Sequence, residues 1–299
     1  MISTPEHTGL PGNSINVVEA DQVAASGKSR RWSTSTVKII IGTLMIALVT
    51  APVLVSFFWL PFDPNATEFS ALLVPPGWGE HLLGTDHLGR DVLSRLMAGG
   101  RVSLSVAVLA VIMTNSLGTV LGLLAAYFGR WLDWGLTLLA EIQLALPSIL
   151  IILVFLALIG PSVLTLALVI GLSDWVIYAR MMRSRAIVEG EREYVTAARA
   201  LGASNTRIIS RHVLPNVLPT LIVLTTVLFG SVILLESSLS YLGLGVQRPN
   251  PSWGRMVSDG RDYIVTGWWI SLAPALSIGI IVLGATILGD GLRQRWKME

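Results

Sequence analysis

Four acidic side chains, Glu141, Asp174, Glu236 and Asp290, sit inside or at the ends of strongly apolar stretches. A charge in an apolar segment is expensive, so each is a candidate for proton relay or ligand binding. Their positions favour structural pairing instead. Asp174 lies close to Arg180, Glu141 precedes Pro147, and Glu236 and Asp290 each follow an apolar run. A relay would stack its acids at one depth. His81, Asp86, His87 and Asp91 form a second group with metal-capable atoms, but histidines six apart match no strong zinc pattern. Gly84-Thr85-Asp86 reads as a turn. There are no cysteines, which removes disulfides, thiolate metal sites and Cys nucleophiles. The three lysines, Lys28, Lys38 and Lys297, belong to no Gly-x-x-x-x-Gly-Lys-Ser/Thr phosphate loop. No constellation of Ser, His and Asp suggests a protease. The chain is expected to be non-catalytic, with no metal site.

The elements that carry these residues are set by composition. Of 299 residues, 53% are hydrophobic and 13% charged, and mean hydropathy is +0.68. One soluble core cannot bury that much apolar surface, and disorder requires the opposite composition. A net charge of +2 is too small for a nucleic-acid footprint. A bilayer core needs about 20 apolar residues per helix. Six segments qualify: 39–60, 102–128, 134–159, 161–178, 213–235 and 267–289. None alternates apolar and polar residues as a membrane barrel strand would. The expected fold is an all-α polytopic bundle of six transmembrane helices. Trp59, Trp131, Trp134, Trp268 and Trp269 fall near segment ends, as an aromatic belt would.

Residues 1–36 are polar and read as a flexible cytoplasmic tail without a cleavable signal, followed by a first anchor over 37–60. With six spans and both termini inside, fifteen of the 21 Lys and Arg residues fall inside and six outside. That bias predicts cytoplasmic termini. Residues 61–101 and 238–266 then lie outside, and 179–212 inside. The remaining expected unit is a five-helix core over 102–295, with an inner loop over 190–212.

In that loop Tyr194, Ala197, Ala198 and Leu201 recur at helical spacing and share one face, with Arg192, Thr196 and Arg199 off it. Gly202 permits a sharp turn. A second short helix follows, with Ile208 and Ile209 opposite Arg207 and Arg211, before Leu214-Pro215 opens the next span. Small residues on an exposed face let another surface approach closely. The same pattern also suits an amphipathic helix lying on the membrane.

Ala197-Ala198, then Gly202, then Leu214-Pro215 at their spacing resemble the EAA loop of ABC-importer permeases. Residues 81–105, HLLGTDHLGRDVLSRLMAGGRVSLS, and 236–254, ESSLSYLGLGVQRPNPSWG, resemble outer segments of the C-type subunit of the dipeptide, oligopeptide and nickel permeases. The likeness covers about residues 37–295. Thr196 stands where that loop usually has Glu, with Glu193 one turn earlier as a substitute charge, and His212 replaces an aliphatic residue.

The resemblance implies a type I ABC-importer permease for di- or oligopeptides, with nickel or another small solute as the alternative. A proton-coupled secondary transporter is the rival from another class. The family's partners would be a second, homologous permease, two cytoplasmic ATPase subunits or domains that use ATP and Mg, an extracytoplasmic binding protein and the lipid bilayer. No cofactor is implied for this chain. The coupling contact would fall to Glu193, Thr196, Ala197, Ala198, Arg199, Leu201 and Gly202, with Leu214 and Pro215 closing the motif. Arg90, Asp91, Arg95, Arg248 and Arg255 are the expected binding-protein docking residues. The stretch from Asp91 to Met97 is expected as a short helix at the outer interface.

Overall fold

The computed structural model describes residues 34–296 apart from Arg248, and only the backbone of Arg130. Most of the expected tail, and the charges Lys28, Arg30, Arg31 and Lys297, lie outside the described residues. Residues 34–36 already belong to the first helix, α1, Thr34–Ser56. The described residues form helices joined by loops, the longest over 57–91, with one isolated antiparallel bridge between Thr85 and Asp91. Five helices are long and apolar enough to cross a membrane, and six if a bent pair counts as one span.

The second helix, α2, spans Val92–Phe128 and starts ten residues ahead of the predicted position. Asp91 caps it, its carboxylate accepting the Ser94 N–H at 2.7 Å. The expected short interfacial helix is therefore the opening of this span. At 1.5 Å per residue α2 is about 55 Å long, well beyond a bilayer core of about 30 Å. Its two ends thus reach structures on opposite sides of the bundle.

The predicted span 134–159 is two helices, α3 (Arg130–Ala145) and α4 (Ser148–Ile159), bent by 86°. Pro147 causes the break. It has no N–H for the helical ladder, and its ring drives Leu146 into extended conformation at φ −101°, ψ 134°. The next helix, α5, runs from Val163 to Gly190, so residues 179–190 continue the helix where the sequence reading placed a loop. Two short helices follow, α6 (Glu193–Ala200) and α7 (Asn205–Ile208). A π-helical turn over Ile209–Val213 leads into α8, Leu214–Tyr241. Pro215 accounts for that turn. It cannot donate to Arg211, and the Leu214 N–H bonds to the Ile209 carbonyl instead. A short helix, α9 (Trp253–Gly260), and the last span, α10 (Trp269–Arg295), complete the chain.

The centre of the bundle is the α2–α5 pair. Its helices approach closely because small residues meet: a Cβ at Gly118 would lie 2.4 Å from that of Tyr178, and one at Gly122 2.5 Å from the Ala179 carbonyl oxygen. Close packing of this kind is the main adhesive between helices in lipid, where apolar burial between spans gains little. Polar ties add to it. Tyr178 donates to the Leu224 carbonyl of α8 at 2.7 Å, and Thr114 to the Gly171 carbonyl at 3.0 Å.

Candidate coupling site

At one end of the bundle, where α2 finishes and α5 and α8 meet, the chain forms a compact hook over residues 191–213. Val195 anchors it. Its side chain is fully buried with Leu123 of α2, Met182 and Ala186 of α5, Ile208, Val213 and Val217. The opposite side of α6 is open: Glu193, Tyr194, Thr196, Ala197 and Arg199 are exposed, Ala198 is half-buried, and Leu201 is 88% exposed.

The hook's turn follows from Gly202. Its φ of +82° lies in the left-handed region, which glycine enters without steric cost. The Gly202 N–H bonds to the Arg199 carbonyl at 3.0 Å, and the Ala203 N–H to the Ala198 carbonyl at 3.1 Å. That pair of bonds is the Schellman helix ending. Ser204 then caps α7, accepting the Arg207 N–H at 3.4 Å.

Tyr194 ties the hook to both neighbouring spans. Its hydroxyl donates to the Glu189 carboxylate at the end of α5 and accepts from the Asn216 amide of α8 at 2.9 Å. Burial and the Glu189 carboxylate hold its pKa above the usual tyrosine value, so the hydroxyl keeps its proton. Asn216 also donates to the His212 carbonyl at 2.7 Å, and the His212 ring lies tilted against that of Tyr194 at 5.9 Å. Arg199 lies beside the Tyr127 hydroxyl at the end of α2. α6 is thereby tied to three spans. The sequence reading missed Val195, Glu189 and Asn216. Leu214 is half-buried and Pro215 exposed at the start of α8, where they set the register of that span.

The other end is closed by residues 57–91 and α9. Here the expected docking residues are corrected. Arg90, Asp91 and Arg95 are buried, at 8%, 3% and 4% exposure. Arg90 Nε donates to Asp86 Oδ2 at 2.7 Å, Arg95 Nε approaches the same oxygen at 3.6 Å, and Arg95 reaches Asp259 of α9 at 3.9 Å. Arg255 pairs with Asp259 at 3.3 Å and stays partly exposed. Asp91 accepts from the α2 backbone and contacts His81 Nδ1 at 2.9 Å. These charges point inward because each finds a carboxylate or helix end there, and they staple both outer segments to the start of α2. Trp269 Nε1 adds a bond to the Thr85 carbonyl at 3.0 Å, and Trp253 Nε1 one to the Leu96 carbonyl at 2.9 Å. Of the residues expected to dock a binding protein, only Arg255 keeps a surface among the described ones, and Arg248 lies outside them. No group of three metal-capable side chains comes together among the described residues.

The four apolar-segment acids separate. Glu236 is fully buried within α8, which continues past the predicted end. It accepts from Ser240 at 2.7 Å, and Ser103 of α2 reaches the same carboxyl. Asp290 lies 4.0 Å from Lys38. Asp174 is half-buried and Glu141 exposed.

Residues 118–298, more than half of the chain, match the family described as binding-protein-dependent transport system inner membrane component. The chain is 41% identical over 255 residues to the dipeptide transport system permease protein DppC of Alkalihalophilus pseudofirmus, covering 85% of this chain and 82% of that one. It is 40% identical over 257 residues to the di/tripeptide transport system permease protein DppC of Pseudomonas aeruginosa, covering 84% and 85%. A putative peptide permease protein of Brucella suis is 36% identical over 293 residues, 97% of this chain and 92% of that one. Among solved structures, a chain of the inward-facing MetNI methionine ABC transporter superposes with a TM-score of 0.51 at 19% identity, over 66% of this chain and 94% of that one. That likeness concerns the fold.

Proposed function

Because this chain belongs to the family of binding-protein-dependent transport system inner membrane components, we propose that it is the permease subunit of an ATP-driven importer of di- or oligopeptides. The observation that carries the reading is the match to two dipeptide-type permeases across more than four-fifths of the chain. The chain is a non-catalytic, multi-pass component of the inner membrane. ATP and Mg are bound and used by two partner ATPase subunits or domains. A second, homologous permease completes the pathway, and an extracytoplasmic binding protein delivers the peptide. Both termini and the 191–213 hook face the cytoplasm, in keeping with the Lys and Arg bias.

In this reading the open side of α6, with Ala197, Ala198, Leu201 and Gly202, seats in a groove of the ATPase, flanked by Glu193, Thr196 and Arg199. When the ATPase domains close, α6 moves as a body, since Val195 and Tyr194 fix it to α2, α5 and α8. The bundle then exchanges inward-open and outward-open states. The two states must differ in affinity for the peptide for the cycle to transport. Purification of the complex from its native membrane, reconstitution in vesicles and uptake of a labelled dipeptide test the proposal. Uptake should require the ATPase subunits, the binding protein and ATP together. Uptake by this chain alone in a proton gradient would overturn it.

A further inference from the structure

Among the described arginines at the 57–91 end of the bundle, Arg90, Arg95, Arg255 and Arg261 each pair with a carboxylate. Arg101 has no carboxylate partner among the described residues. It donates through Nε to the Ser56 hydroxyl at 2.7 Å and through a terminal nitrogen to the Ser56 carbonyl, and its guanidinium stacks 4.9 Å from the Phe57 ring centroid. These contacts fix the group at the end of α1 and leave a net positive charge there. Directly beneath it, between α1, α2 and α8, runs an open groove of about 510 Å³. Val53, Leu54, Leu104, Val108, Leu109 and Phe229 line it together with Arg101. Leu54 of this lining is more than 60% exposed, as are Leu44 and Leu48 farther along α1. An exposed apolar face on a membrane span meets lipid or another span, and the fixed guanidinium of Arg101 in the groove lining favours a lipid phosphate. Phe58 and Trp59, also exposed, mark the headgroup level just beyond Ser56.

We infer that this groove binds an anionic phospholipid, with its phosphate on the Arg101 guanidinium and one acyl chain along Leu104, Val108 and Phe229. Charge complementarity selects the headgroup, since a guanidinium pairs well with phosphate oxygens. The apolar lining selects a chain over a free anion. Bound there, the lipid joins the end of α1 to α2 and α8, and so braces the anchor helix against the core. The inference needs only the membrane setting and stands apart from the identity of the transported solute.

The test uses the full transporter complex in phosphatidylcholine nanodiscs that carry a trace of phosphatidylglycerol with a photoactivatable acyl chain. After illumination, mass spectrometry locates adducts. Adducts on residues 50–57 and 104–109 are expected. Unlabelled phosphatidylglycerol should compete with them, whereas phosphatidylcholine and inorganic phosphate should not. Arg101→Gln should weaken retention about tenfold, the worth of one charge-assisted hydrogen bond, and Arg101→Lys should restore most of it. Leu109→Trp fills the groove two helical turns from Arg101 and should also remove the adducts. It therefore separates lipid binding from a purely structural role of Arg101. Equal labelling by a phosphatidylcholine probe, or labelling that Leu109→Trp leaves unchanged, would overturn the inference.

Discussion

Replacing Gly202 separates the hook's own stability from its use as a contact surface. A Cβ built at Gly202 meets nothing within 4 Å, so a larger side chain has no clash inside this chain. The backbone term remains, because φ is +82°, and a non-glycine residue there costs about 1–2 kcal/mol. Gly202→Ala and Gly202→Trp share that cost equally. They differ in bulk. If α6 seats in a fitted groove, overpacking costs about 1–3 kcal/mol beyond the alanine variant. That corresponds to about one to two powers of ten in affinity for the ATPase. The assay is ATPase co-purification together with dipeptide uptake on one reconstituted preparation, with the thermal midpoint as a control. Both variants should show the same small loss of thermal stability. Gly202→Ala should retain the ATPase, and Gly202→Trp should release it or uncouple hydrolysis from uptake. Equal retention and equal uptake for the two would refute the reasoning, because the bulk would then meet no partner.

Three further outcomes are expected. Arg95→Gln should lower stability by about 1–3 kcal/mol, because Asp86 and Asp259 each lose one of two arginine partners in a buried network; Arg255→Gln, at a partly exposed position, should cost clearly less, and thermal unfolding in detergent compares them. Gly118→Leu should prevent assembly of the α2–α5 pair, where even a methyl group would clash, whereas Gly135→Ala, in open space within α3, should stabilise by about 0.5–1 kcal/mol; expression level and midpoint report both. A reporter fused after Glu299 should be active only in a form that works in the cytoplasm, and activity on the other side would overturn the assigned orientation.

Several features of this fold were legible in the sequence for plain physical reasons. Apolar segments of bilayer length announced the spans, and Gly202 announced the turn because few other residues suit it. Pro147 carried its own signal, yet apolarity through 134–159 masked the break, since hydropathy alone does not register backbone geometry. Asp91 and Ser94 likewise encoded the start of α2, but the charges around them read as solvent-exposed. Arg90 and Arg95 read as exposed docking charges because their partners, Asp86 and Asp259, include one more than 160 residues away in sequence. On α6 the spacing of Tyr194, Ala197, Ala198 and Leu201 defined a face but not its environment. The buried residue is Val195, whose partners come from α2, α5 and α8. Burial of that kind depends on tertiary packing that no local window contains.

The most direct measurement exploits the absence of cysteine from this chain. A single cysteine placed at Leu201, carrying a short photocrosslinker, reports what touches the exposed end of α6 in the assembled transporter. Crosslinking should capture the ATPase subunit, and its yield should change when ATP is bound and again after hydrolysis. Crosslinking to lipid or to the second permease alone, with no response to nucleotide, would contradict the coupling role of this hook.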